Sequence, residues 1–166
     1  MPAISESVTI KANIADVFAL ISRVEEFPMY ASYIEDVQRI GRRTYHWVAR
    51  VEGVRLTWDS IISEFCRPTR LSWRSIRGFE NAGTYTLIQV PGGTRVDLHI
   101  EYGLTGGLLG AGIGRLVKPA VGTAAKSILA RVKERLEGRR PDTEKPGSGL
   151  RRSRRLTLPG TPMAQP

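Results

Sequence analysis

Few residues of this chain are suited to acid–base, nucleophilic or metal chemistry: the two histidines His46 and His99, the single Cys66, scattered carboxylates, and the tyrosines Tyr45, Tyr85 and Tyr102. General acid–base catalysis needs an ionisable side chain that faces the substrate with a tuned proton affinity. Alternation along the strands predicted below puts both histidines on the side opposite their apolar neighbours, so they read as surface residues. Asp59 alternates outward beside Trp58, and Asp97 and Glu101 share the polar side of one strand. The inward hydroxyls are then Tyr45, Tyr85 and Tyr102, with Ser60 and Ser75 beside them. A tyrosine in an apolar wall more often packs and hydrogen-bonds than transfers protons. No catalytic residue is assigned. A β-bulge that turned Asp59 or Arg74 inward would strengthen the case for an enzyme.

Other chemistries find less support. A zinc site needs clustered Cys, His or carboxylate ligands, and one cysteine with two distant histidines does not supply them, so no metal or cofactor is expected. The run GGLLGAGIG, residues 106–114, matches neither the phosphate-loop pattern nor a dinucleotide fingerprint, which needs a parallel βαβ unit. Cys66 has no sequence neighbour that would activate it and reads as structural. A lone cysteine also forms no internal disulfide, so nothing points to an oxidising compartment.

The element that must position any site is a long helix predicted over Gly107–Glu137. Leu109, Ile113, Leu116, Val117, Val121, Ala124, Ile128, Leu129, Val132 and Leu136 recur at helical spacing, with basic residues between them and Gly138 and Pro141 closing the pattern. Before it, a strand at Ser5–Ala12 leads to a short helix capped by Asn13 and running to Arg23, then a turn Val24–Phe27 stopped by Pro28. Strands follow at 34–42, 44–52, 54–66, 71–76, 83–90 and 94–104, joined by short turns and one longer link over 77–82. Short links make consecutive strands antiparallel neighbours. Inward sets are Val96, Leu98, Ile100, Tyr102 and Leu104; Tyr85 and Leu87; Leu71 and Trp73; Leu56, Trp58 and Ile62; and Tyr45, Trp47, Ala49 and Val51. The fold class is α+β, with a curved antiparallel sheet wrapped around one late helix.

A straight helix cannot touch a curved sheet along its whole length. The space between is either filled by side chains or left as a cavity. Gly106, Gly107, Gly110, Gly112 and Gly114 loosen the first half of the helix, and Pro119 should kink it, which favours a cavity under a lid-like segment. Close packing of glycines on the sheet is the other solution, and the residues leave both open.

Charge is uneven. Residues 138–166 hold seven basic residues against Asp142 and Glu144, a net +5 of the chain's +9. With Pro141, Pro146, Pro159, Pro162 and Pro166 this segment is expected to be a disordered basic tail over 139–166, following one folded domain over 1–138. Arg151, Arg152, Arg154 and Arg155 could meet an anionic membrane surface. The folded part shows no basic stripe with exposed aromatics, so nucleic acid is not the expected partner. No stretch approaches a membrane span and the start carries no secretory pattern, so a cytoplasmic protein, peripheral to membranes at most, is expected.

The segment VRLTWDSIISEFCRPTRLSWRSIRGFENAGTYTLIQVPGGTRVDLHIEYGL, the glycine-rich TGGLLGAGIGRLV and the helix end ARVKERLEGR together resemble the polyketide cyclase/dehydrase and lipid-transport-like branch of the START/SRPBCC superfamily. The opening VTIKANIADVFALISRVEEFPMY is similar to that family's first strand and paired short helices, so the resemblance covers residues 4–138. It implies a helix-grip fold enclosing a largely apolar pocket. By matching position, Trp58, Trp73, Tyr85, Leu87 and Tyr102 would line that pocket, with Gly107–Arg115 near its mouth. Adding the inward Tyr45 and Trp47 and the helix positions Leu109 and Ile113 completes the candidate ligand-binding set. Many relatives carry a proline just after the last strand, where this chain has Gly103-Leu104. The resemblance implies a hydrophobic small-molecule ligand, lipid, isoprenoid or polyketide-like, held by a carrier or binding protein. Its alternative is a cyclase or dehydratase working in the same cavity.

Overall fold

The computed structural model describes residues 2–103 and 111–138, the first three of the second stretch by backbone alone. Alternating apolar residues produce seven strands: β1 Ala3–Ile10, β2 Ile34–Gly41, β3 Thr44–Val51, β4 Val54–Cys66, β5 Arg70–Gly78, β6 Asn81–Val90 and β7 Gly93–Tyr102. They form one curved antiparallel sheet in the order β1-β7-β6-β5-β4-β3-β2. From β2 to β7 each strand pairs with its chain neighbour, as short links dictate, and β1 closes onto β7 with Val8 opposite Val96.

Helix α1, Ile14–Ile21, starts where Asn13 Oδ1 accepts the backbone N–H groups of Ala15 (2.7 Å) and Asp16 (3.2 Å). It ends two residues short of the predicted Arg23, where the Ser22 hydroxyl donates to the Phe18 carbonyl at 2.6 Å. The following 3-10 helix, Val24–Met29, is not stopped by Pro28. Tyr30 N–H donates to the Phe27 carbonyl at 2.9 Å, so Pro28 sits second in a tight turn, a position that suits its fixed φ.

The link predicted over 77–82 is shorter than expected. A register shift sets Ser60 opposite Ser75 but Asp59 opposite Arg77, so the bulge absorbs Ile76 and lets Arg77 and Gly78 stay paired with β4. The helix α2 is described over Ala111–Glu137, with Pro119 inside it. The predicted start at Gly107 and the position Leu109 lie outside the described residues, as does the side chain of Ile113. Val117, Ala125, Ile128, Leu129 and Val132 are buried, but Leu116 is exposed because it falls a full helical step to one side of the stripe. The end of α2 is tied to the sheet and the short helices: Lys133 Nζ donates to the Thr9 carbonyl (3.0 Å) and Arg135 Nη1 to Tyr30 Oη (2.9 Å). Gly138 N–H closes on the Glu134 carbonyl. Arg151, Arg152, Arg154 and Arg155 lie outside the described residues.

A buried cavity between sheet and terminal helix

The buried apolar residues form two clusters, and a cavity of about 130 Å³ lies where they meet under α2. Its floor is the inward face of the sheet: Tyr45 and Trp47 of β3, Trp58, Ser60 and Ile62 of β4, and Leu71 and Trp73 of β5. Asn81 and Tyr85 of β6 and Ile100 of β7 continue it. Ile21, Val24 and Phe27 close one end, and Val121, Ala124 and Ile128 of α2 form the roof. An engineered apolar cavity of comparable size, about 150 Å³, accepts benzene. A second, smaller chamber of about 70 Å³ lies towards Tyr33, Val51 and Ala120. The chambers share Ile34, Trp58, Val121 and Ala124, which stand between them.

Aromatic packing builds the wall. Trp47 and Trp58, directly opposite each other on β3 and β4, stack at 5.6 Å with planes 8° apart. Phe27 meets Trp47 edge-on at 5.6 Å, and Phe79 meets Trp58 at 5.8 Å. Trp73 lies tilted against Tyr85 at 5.5 Å. Gly83, opposite Trp73 on the next strand, makes room for it: a Cβ there would run into the indole ring.

The half-buried Trp47 and Trp73 turn their indole N–H groups to inward polar residues that accept from them. Trp47 Nε1 donates to Ser60 Oγ (2.8 Å) and Trp73 Nε1 to Asn81 Oδ1 (3.1 Å). Asn81 is held in turn, its Nδ2 donating to the Phe79 carbonyl and its backbone N–H to Ser75 Oγ, both at 3.0 Å. Tyr85 is 2% exposed, and burial pushes its phenol above the ordinary tyrosine value, so it stays protonated and neutral.

Of the nine candidate binding residues, Tyr45, Trp47, Trp58, Trp73 and Tyr85 come together around this cavity. Leu87 and Tyr102 are buried elsewhere. Leu87 sits one inward step beyond Tyr85, opposite Val96 in the larger cluster, and Tyr102 belongs to the smaller cluster with Val51 and Leu56. Alternation fixes a residue's face but not its distance along the strand from the void. Leu109 and Ile113 are outside what is described. Sequence reasoning missed Asn81, which it placed in a link, and Val24 and Phe27, which sit on a short turn with no readable period.

Among the described residues, the carboxylates, histidines and basic side chains stay off the cavity wall. Asp59 is buried there, its Oδ1 2.6 Å from His46 Nδ1 and its Oδ2 accepting Arg77 Nε at 3.2 Å. Although the bulge falls beside it, neither Asp59 nor Arg74 lines the cavity. His99 meets Ser5 Oγ at 2.8 Å on the exposed side of β7, where the Ser7 hydroxyl and then Arg95 hold the Asp97 carboxyl below its usual value. Cys66, expected to be structural, is exposed at the end of β4. No group of metal-ligating side chains occurs among the described residues, and no described helix is long and apolar enough to cross a membrane.

A single curved sheet gripping a terminal helix, with paired short helices after the first strand, is the helix-grip fold of START-like proteins. A START superfamily protein from Mycobacterium smegmatis shares it at a TM-score of 0.64 and 13% identity, over 80% of this chain and 97% of that one. A Thermus thermophilus protein, TTHA0849, is nearer in sequence, with 25% identity and a TM-score of 0.72 over 82% of this chain and 98% of its own. The di-domain ARO/CYC protein BexL of the BE-7585A biosynthetic pathway matches at 17% identity and a TM-score of 0.62, over 84% of this chain and 51% of its length. In sequence, residues 1–137 match the family described as polyketide cyclase/dehydrase and lipid transport, and the chain belongs to that family.

Proposed function

We propose that the protein binds an uncharged hydrophobic small molecule, lipid, isoprenoid or polyketide-like, between its sheet and α2 and carries it unchanged. The observation that carries this reading is the composition of the wall. Among the described residues, no Asp, Glu, His, Lys or Arg lines the cavity. Burial of apolar ligand surface, worth about 25 cal/mol per Å², then supplies the affinity. A charged ligand would surrender its hydration and meet no countercharge among the described lining residues. We take residues 1–138 as the binding domain.

A cyclase or dehydratase is the competing reading. The family description and the likeness to an ARO/CYC protein favour it, and Tyr45, Ser60 and Tyr85 bring hydroxyls to the wall. Against it stands a wall that, among the described residues, holds no Asp, Glu, His, Lys or Arg to serve as acid or base. Native mass spectrometry of the full-length protein, followed by solvent extraction, separates the two. A carrier should retain one unmodified hydrophobic molecule per chain. A protein that instead converts an added poly-β-ketone chain into a cyclised product overturns the carrier reading.

A further inference from the structure

Strand pairing aligns a row of polar residues across the largely apolar inward face. Tyr45 is opposite Ser60, Ser60 is opposite Ser75, Asn81 N–H reaches Ser75 Oγ, and Asn81 is opposite Tyr102. Each of the five comes from a different strand, β3 to β7, so the row forms a belt at one level of the cavity. Tyr102 Oη, at its far end, is enclosed without a hydrogen-bond partner among the described residues and does not line the void. Tyr45, Ser60 and Asn81 do line it.

Satisfying the tryptophans does not use up this belt. Ser60, 2% exposed, accepts from Trp47 with one lone pair, and its own proton has no acceptor among the described residues. Asn81 spends one amide hydrogen on the Phe79 carbonyl, and the other has no acceptor among the described residues. Tyr45 Oη makes no hydrogen bond with the protein among the described residues. What the wall offers a ligand is therefore an excess of neutral donors at one level, with hydrocarbon on either side.

Resting on the carrier reading, we infer that the belt Tyr45–Ser60–Asn81 seats an oxygen acceptor, so that the ligand class is uncharged oxygenated hydrocarbons carrying a carbonyl or ether oxygen. A purely hydrocarbon ligand would leave the buried Ser60 proton unpaired, and an anion would find no countercharge. Ligand and protein exchange no atoms. The oxygen chooses the ligand's orientation, and the apolar walls supply most of the binding.

Acetophenone and isopropylbenzene share a phenyl ring and are close in size, a methyl group standing in the second for the carbonyl oxygen of the first, so they test the belt when titrated into the full-length protein by tryptophan fluorescence and ligand-observed NMR. Ser60→Ala and Tyr45→Phe should each weaken acetophenone about threefold to tenfold, the worth of one net hydrogen bond, and leave isopropylbenzene within about twofold. Benzoate should bind at least about tenfold more weakly than acetophenone. Tyr45→Phe removes an oxygen that holds nothing in the protein, so it keeps the test sound if Ser60→Ala, which strands the Trp47 N–H, fails to fold. Acetophenone affinity unchanged by both substitutions, or benzoate bound as tightly, overturns the belt as a recognition element while the cavity stands. Failure of both neutral compounds to bind the wild type removes the carrier reading itself.

Discussion

Filling the cavity should stabilise the protein and abolish binding together. Ala124 of α2 lines both chambers, so a larger side chain there projects into empty space. A void of about 130 Å³, at about 24 cal/mol per Å³, costs the fold about 3 kcal/mol. Ala124→Leu adds three carbons, worth about 2.4 kcal/mol of burial at about 0.8 each. Rotamer strain takes back about 1–2 kcal/mol, leaving a net gain near 1 kcal/mol. In urea that gain moves the midpoint up by about 0.5 M with the slope unchanged. The same variant should bind isopropylbenzene at least about tenfold more weakly, because ligand and leucine compete for one space. Destabilisation by about 2 kcal/mol with binding intact would refute the reasoning, since it would mean that the space under α2 is already full and that ligands bind elsewhere.

Other expectations follow from single contacts. Gly83→Ala drives a methyl into the Trp73 ring, so it should cost about 1–3 kcal/mol and red-shift tryptophan emission; an unchanged spectrum would show that Trp73 does not lie over Gly83. Tyr85 keeps its proton to higher pH in the folded chain than in the unfolded one, so above about pH 10 stability should fall by up to about 1.4 kcal/mol per pH unit. Tyr85→Phe should flatten that fall, measured by urea unfolding between about pH 10 and 11; identical slopes would contradict a buried phenol. Asp59→Asn loosens the contacts with His46 and Arg77 on the outer face, so it should lower stability yet leave isopropylbenzene affinity unchanged; a lost affinity would tie that face to the cavity.

Much of this fold was legible because its strands alternate cleanly. Val96, Leu98, Ile100 and Tyr102 lie inward and Asp97, His99 and Glu101 outward on β7, as a period of two requires. Asn13 announced α1 through its side-chain oxygen, and the paired Trp47 and Trp58 followed from two such patterns set in register. Where period fails, prediction failed. The bulge at Ile76 and the two-residue link Phe79-Glu80 hid the end of β5, and with it the placing of Asn81 on the inward face. Phe27 was hidden by a 3-10 turn too short to show a face. Leu87 and Tyr102 were assigned the right face but the wrong place, since the void's extent depends on how α2 crosses the sheet, which no local pattern encodes.

An open apolar space, walled by aromatic side chains and free of charge among the described residues, should take up a hydrophobic molecule. A crystal structure of the protein exposed to benzene tests this most directly, because a largely apolar space of this size is comparable to one that admits that probe. One benzene is expected between Trp47, Trp58 and Trp73 on the sheet and Ile128 on α2, with the backbone in place. A closed space filled by the protein's own side chains, with benzene absent or bound only at the surface, would contradict the binding role.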